Sequence, residues 1–212
     1  MKKTLLLASV AAFAFVANAN ALEVNPYVSA KLSYDWAKND VIFDSNNPDE
    51  FEKTKFHKNV WGAHFAAGVK AKAVRTEVEW NHHQDAKKKL VQDGERLRLQ
   101  NNSLMLNAYY DINTCTKWTP YVGAGVGVAM LKFTTKDMND GGKASDRTYN
   151  VAWQVGAGVA YDLTSNVALD AGYRYIDGGA AVADKIKNQG YRSKDKIDTA
   201  AHEIYFGARY TF

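Results

Sequence analysis

The sequence predicts an all-β protein, an eight-stranded antiparallel transmembrane up-and-down β-barrel with four long outer loops and three short periplasmic turns. Three observations carry this. Eight segments alternate apolar with polar or small residues at period two. Each is close to the roughly 9–11 residues a tilted strand needs to cross a bilayer. The connections between them run long, short, long, short, long, short, long, as in barrels with short periplasmic turns and long outer loops.

Composition narrows the class first. The chain has 212 residues, 12% of them aromatic and 24% charged, with a net charge of +4. That balance is too even to argue for nucleic acid. Beyond the N-terminus no apolar run approaches the roughly 18 residues of a spanning helix, which excludes a helical membrane protein but not a barrel. Residues 1–21 read as a cleaved signal peptide. Lys2 and Lys3 form the basic region, Leu5 to Val16 the apolar region, and Ala19-Asn20-Ala21 a cleavage pattern, with Ala17-Asn18-Ala19 as a second choice. Residues 22–212 form the barrel domain. No cysteine stands at the cleavage site, which argues against a lipoprotein. The lone Cys115 has no intramolecular partner and reads as an idle turn thiol.

The strands follow in order. Roughly 26–36 set Val28, Ala30, Leu32, Tyr34 and Trp36 against Ser29, Lys31, Ser33 and Asp35. Roughly 59–70 set Trp61, Phe65 and Val69 against His64 and Lys70. Roughly 73–81 set Val74, Val78 and Trp80 against Arg75, Glu77 and Glu79. Roughly 102–112 set Leu104, Leu106, Tyr110 and Ile112 against Met105, Asn107, Tyr109 and Asp111. Roughly 119–133 set Val122, Val126 and Val128 against Gly123, Gly125 and Gly127. Roughly 149–161 put Tyr149 and Tyr161 at the two ends of an apolar face, the aromatic girdle of a membrane strand. Roughly 166–177 set Leu169, Tyr173 and Tyr175 against Asp170 and Arg174. Roughly 200–212 set Ile204, Phe206, Ala208, Tyr210 and Phe212 against Glu203, Tyr205, Gly207 and Arg209. Residues 37–58, 82–101, 134–148 and 178–199 are the long loops. The short turns fall near Ala71-Lys72, Asn113–Lys117 and Leu163–Ser165. An even strand count closes the sheet without an unpaired edge, as hydrocarbon requires.

The leader, the glycine-alternating strand Tyr121-Val-Gly-Ala-Gly-Val-Gly-Val-Ala129 and the ending Ile204-Tyr-Phe-Gly-Ala-Arg-Tyr-Thr-Phe212 together resemble the small outer-membrane β-barrels of the OmpA-like and opacity-protein type. The resemblance covers essentially all of residues 22–212. It implies a Gram-negative outer-membrane location reached through the periplasm, in contact with lipid and lipopolysaccharide. It also implies that Phe206, Tyr210 and Phe212 serve as a signal to the barrel-assembly machinery. The peptidoglycan-binding domain of full-length OmpA is not matched, so cell-wall anchoring is not implied. Members serve as structural barrels, adhesins, surface antigens and lipid-modifying enzymes, so the fold alone does not assign a function.

An eight-stranded interior is just wide enough to be filled by side chains. The inward set carries both signs: Lys31, Lys70, Arg75, Glu77, Glu79, Asp111, Asp170, Arg174, Glu203 and Arg209. Buried charges need partners, so this set is expected to form an ion-pair network plugging the lumen. The alternative is a narrow ion channel. His64 is expected in the same network. His82 and His83 are neighbours and point to opposite faces, so they make a poor metal site, and neither metal nor cofactor is expected. A lipid A-modifying enzyme would need His202, Ser193 and Asp198 to meet at the rim. Two loops are basic. One holds Lys87, Lys88, Lys89, Arg96 and Arg98, and the other Lys185, Lys187, Arg192, Lys194 and Lys196. The first loop is richer in acids, with Asp40, Asp44, Asp49, Glu50 and Glu52. The basic loops suit lipopolysaccharide phosphates or an anionic host surface. The reading is therefore a monomeric, non-enzymatic barrel of the outer membrane. It supports the envelope and recognises a host or other surface ligand through its loops.

Overall fold

The structure, a computed structural model, describes residues 24–44, 52–90, 95–137, 143–186 and 192–212, with side chains placed for 24–36, 59–84, 100–132, 147–179 and 200–212. The leader expected at 1–21 lies outside the described residues. Eight strands run β1 (Val24–Asp44), β2 (Glu52–Ala71), β3 (Val74–Leu90), β4 (Glu95–Asp111), β5 (Trp118–Asp137), β6 (Lys143–Asp162), β7 (Val167–Ile186) and β8 (Arg192–Thr211). Each pairs antiparallel with its neighbour, and β8 pairs back onto β1, so the sheet is a closed barrel. Among the described residues no helix is long and apolar enough to cross a membrane.

The outward positions are apolar and exposed: Leu32 is 65% accessible, Phe65 55%, Val126 59%, Val151 78% and Phe206 59%. In water such a surface would drive aggregation. Facing lipid, it is the belt that holds the barrel in place. From His202 on β8 to Phe212 just past its end is ten residue steps, about 33 Å of extended chain. At a tilt near 40° this spans about 25 Å, the height of the apolar band of such barrels. Aromatic rings flank the belt. Tyr34 packs edge-on against Trp36 and Trp61 at 5.2 and 5.1 Å towards the outer end. Trp118–Tyr161 and Tyr210–Phe212 close the other end at 4.6 and 5.2 Å.

The short connections lie within one residue of where the sequence places them. The first is the two-residue Lys72-Ala73 rather than Ala71-Lys72, with Lys72 at φ 54°. Ile112, read as the end of a strand, already lies in the second turn, because β4 stops at Asp111. Cys115 is exposed in that turn at φ 56°, where its N–H donates to Asn113 Oδ1 at 2.9 Å.

The long connections need a larger correction. Much of 37–58, 82–101, 134–148 and 178–199 is strand. The β1–β2 ladder continues to Phe43↔Glu52, β3–β4 to Leu90↔Glu95, β5–β6 to Lys136↔Lys143 and β7–β8 to Ile186↔Arg192. Past the membrane both faces of a ribbon meet water, so period-two hydrophobicity disappears while the backbone pairing goes on. The sequence pattern therefore marked where the hydrocarbon ends, not where the strands end.

Inside, small residues make room for rings. Tyr27, Tyr109, Tyr121 and Tyr205 fill the lower lumen, away from the ribbons. A Cβ on Gly158 would run into the Tyr121 ring, and one on Gly172 into the Tyr205 ring. The two tyrosines meet across the lumen, Oη to Oη at 3.1 Å.

Candidate functional site: the lumen and the outer ribbons

Alternation aims every second side chain inward, and barrel closure brings eight strands' worth of them together. All ten charged residues expected in the lumen lie there. Nine are buried, and Lys70 is half-buried at the lower end.

They form two groups. In the lower one, Arg75 Nε donates to Asp111 Oδ1 at 2.8 Å, and Lys70 Nζ lies 2.9 Å from Asp111 Oδ2. The Arg75 guanidinium is sandwiched between the Tyr109 and Tyr121 rings at 4.8 and 4.6 Å. Arg209 Nη1 lies 3.8 Å from Asp170 Oδ1. The central group is a chain. Lys31 Nζ donates to Glu77 at 3.0 Å and to Glu79 at 2.7 Å. Arg174 Nη1 donates to the other Glu79 oxygen at 2.5 Å, and its Nε lies 2.7 Å from Glu203 Oε1. Glu77 also accepts from Tyr27 and Tyr109, each at 2.9 Å, and from Asn107 Nδ2 at 3.3 Å. Gln154 Nε2 donates to Asn107 Oδ1 at 2.6 Å. Charged hydrogen bonds of this density offset much of the desolvation cost of burying these groups.

The sequence set left out several members of this interior. Asp35, Asn81, His83 and the tyrosines 27, 109, 121 and 205 are inward too. Parity marks them, since each sits an even number of residues from a named charge on its own strand or, for Tyr121 on β5, from the inward glycines Gly123, Gly125 and Gly127. His64 is buried at 1% accessibility, its Nδ1 2.6 Å from Asn81 Oδ1. His83 is buried and its Nε2 lies 3.1 Å from Asp35 Oδ2, whereas His82 faces outward against Asn102 and Trp80. The pair does point to opposite faces, but His83 finds its neighbours across the barrel rather than along the chain.

His202 faces outward in the girdle, its Nδ1 2.5 Å from Tyr173 Oη and its ring against Tyr175. Ser193 and Asp198 lie on the same strand, β8, and pair with Lys185 and with Ala180 and Asp40. Nine residues of extended chain put Ser193 about 30 Å from His202. The catalytic grouping considered from sequence is therefore not assembled.

The basic positions sit on the outer ribbons. Lys87↔Arg98 and Lys89↔Arg96 are register partners, so four cations share one face of the β3–β4 ribbon, with Lys88↔Leu97 on the other. On β7–β8, Arg192 pairs with Ile186, Lys194 with Asp184, Lys196 with Val182 and Lys185 with Ser193. Lys187 lies outside the described residues.

A closed eight-stranded barrel with an apolar belt, aromatic girdles and a charged plug narrows the comparison to one kind of protein. The family model of the outer membrane protein beta-barrel domain matches residues 5–212. The chain belongs to that family. It is 33% identical over 117 residues to the outer membrane protein PagN of Salmonella typhimurium, covering 51% of this chain and 48% of that one. It is 30% identical over 137 residues to an opacity protein of Neisseria gonorrhoeae, covering 52% and 53%. The chain thus spans about half the length of the curated relatives it matches. Among solved structures, Neisserial surface protein A superposes with a TM-score of 0.60 at 21% identity, over 90% of this chain and 99% of that one. OprG of Pseudomonas aeruginosa gives 0.59 at 15%, over 90% and 97%. Family members of this kind are outer-membrane proteins of Gram-negative bacteria, and so is this one.

Proposed function

We propose that this barrel is a non-enzymatic surface-recognition protein, adhesin-like in action, which holds an anionic ligand against its outer ribbons. The carrying observation is the register of β3 with β4, where Lys87 faces Arg98 and Lys89 faces Arg96. Like charges directly opposite on one face destabilise a ladder. An anionic partner turns that cost into binding, because Lys and Arg suit phosphate and sulfate groups. Lipopolysaccharide phosphates and host polyanions offer the same chemistry. Lys88 and the β7–β8 positions Lys185, Arg192, Lys194 and Lys196 extend the basic surface, with Lys187 next to them in the sequence.

The interior supports this over a channel. The ion-pair chain crosses the lumen from Lys31 to Glu203, and a cavity among Tyr109, Gly123, Gln154, Gly156, Arg174 and Tyr205 has a volume of about 10 Å³, room for one water. Envelope support and insertion by the assembly machinery through Phe206, Tyr210 and Phe212 belong to the same reading. All three aromatics are exposed, Phe206 and Tyr210 on β8 and Phe212 just past its end.

The test uses refolded barrel in liposomes, offered to beads carrying a sulfated polysaccharide or lipopolysaccharide at rising salt. Wild type binds at low salt and is released as salt rises. Replacing Lys87, Lys89, Arg96 and Arg98 by Gln weakens binding at least about tenfold and flattens its salt dependence. Equal binding by the quadruple variant would refute the reading. Loss on polysaccharide alone, or on lipopolysaccharide alone, would say which source supplies the ligand.

A further inference from the structure

We propose that His64, His83, Glu203 and Asp35 form a binding site for a divalent transition-metal cation of the zinc class, buried at the outer end of the lumen. The argument rests on where lone pairs point, on spacing and on charge.

Four strands supply the donors: Asp35 from β1, His64 from β2, His83 from β3 and Glu203 from β8. One ligand atom from each of His64, His83 and Glu203 falls within 4.8 Å of the other two. His64 Nε2 is 3.4 Å from Glu203 Oε1, and His83 Nε2 is 3.6 Å from Glu203 Oε2 and 3.1 Å from Asp35 Oδ2. A tetrahedron with bonds of about 2.0–2.2 Å has edges of about 3.3–3.6 Å. These contacts approach that range, so His64, His83 and Glu203 stand close to the spacing of such a site, with Asp35 beside His83.

The hydrogen bonds around His64 fix which nitrogen is free. Asn81 Nδ2 donates to Ser103 Oγ at 2.9 Å, so Asn81 Oδ1 is the atom that faces the ring. An amide oxygen only accepts, so His64 Nδ1 carries the proton and donates to it at 2.6 Å. That leaves the Nε2 lone pair aimed at a carboxylate oxygen, two acceptors face to face. Arg174 Nη2 does not resolve this. It lies 3.3 Å from one ring nitrogen and 3.5 Å from the other, near-equal distances that put it on neither lone-pair axis. A cation between Nε2 and Glu203 resolves it. An Nδ1–H held by a neighbouring amide is the outer-shell arrangement that orients a metal-bound histidine.

Charge points the same way. In this half of the lumen Asp35, Glu77, Glu79 and Glu203 face Lys31 and Arg174. That leaves two carboxylates more than cations, while Lys70, Arg75 and Arg209 are engaged lower down by Asp111 and Asp170. A protonated His83 would offset only one of them, and an uncompensated buried negative charge is costly. One divalent ion supplies both charges at the place where the two surplus carboxylates converge. His83, at 6% accessibility the least buried of the four, marks the outer end as the way in. Once bound, the ion ties β1, β2, β3 and β8 together where they leave the bilayer.

The experiment titrates Co²⁺ into refolded, chelator-treated barrel in detergent and reads the visible d–d absorption, then displaces it with Zn²⁺. Wild type is expected to take one equivalent with the intense bands of a four-coordinate ion, and Zn²⁺ to remove them. His83→Ala and Glu203→Gln should weaken uptake at least about 100-fold, and Asn81→Ala about 10–100-fold. His82→Ala, on the outer face, should leave it unchanged, and the heat-dependent gel shift of each variant reports its folding. No uptake by wild type would overturn the proposal, as would only the weak spectrum of a six-coordinate ion. Uptake that survives intact in a folded His83→Ala barrel would overturn it too. The wild-type spectrum decides even if a variant fails to fold.

Discussion

Arg174 and Glu203 are register partners across the β7–β8 ladder, and their side chains meet inside it, Nε to Oε1 at 2.7 Å. Arg174 also holds Glu79 on β3, four strands away around the barrel, so one guanidinium bridges carboxylates on β3 and β8.

Arg174→Met should therefore cost about 3–5 kcal/mol, because it strands two buried carboxylates. Urea unfolding of the refolded barrel in lipid, followed by Trp fluorescence, measures this. The double variant Arg174→Met/Glu203→Gln should recover part of the loss. No recovery would mean that packing, not charge, sets the cost.

Single-channel recording in planar bilayers should give no steps above baseline for wild type. Glu77→Ala removes the acceptor shared by Tyr27, Lys31, Asn107 and Tyr109, so small, brief openings are expected from it. Steady wild-type openings would make the charged interior a pathway.

Gly172→Val should destabilise the barrel by about 1–3 kcal/mol, since the new side chain enters the space of the Tyr205 ring. Pairing it with Tyr205→Ala should restore much of the heat-dependent gel shift. If the double variant is worse than the single one, the clash lies with the Ala157 carbonyl instead.

Phe206→Arg places a charge in the lipid-facing belt and should cost about 2–4 kcal/mol. Ser165→Arg, in an exposed turn, should cost nearly nothing. Equal effects in a urea titration would mean that Phe206 does not face hydrocarbon.

The membrane part of this fold was legible because each strand there is under opposite demands on its two faces. Trp80 outside and Glu79 inside are adjacent residues with contrary surroundings, and that contrast prints a period of two. The ribbons above the membrane lost the signal because both faces are wet, so Lys87 to Leu90 read as loop while the backbone is strand. The lumen's membership was legible from parity, yet its neighbours were not. That His83 lies beside Asp35 and Glu203 depends on the relative register of β1, β2, β3 and β8, and no one strand's alternation contains that offset. Alternation put Tyr109 and Tyr205 on the inward face but did not say why rings fit there. Tyr109 and Tyr205 face inward, against the rule that large aromatics face lipid, because glycines opposite them open the space.

The outer ribbons are continuous with the barrel wall. Where the β1–β2 hairpin meets β8, the pairing runs without a register break from Tyr27↔Thr211 to Asp44↔Lys194. A ligand bound near a hairpin tip and dragged away from the cell pulls along the strands. Ladder hydrogen bonds lie across that direction. The load is then carried in shear by many bonds at once, rather than by opening them one after another as a zipper. A hairpin rooted this way resists extraction under tension far better than a loop tethered at its ends, so on the proposed adhesin-like reading the strands that seat the protein in lipid would also anchor its ligand.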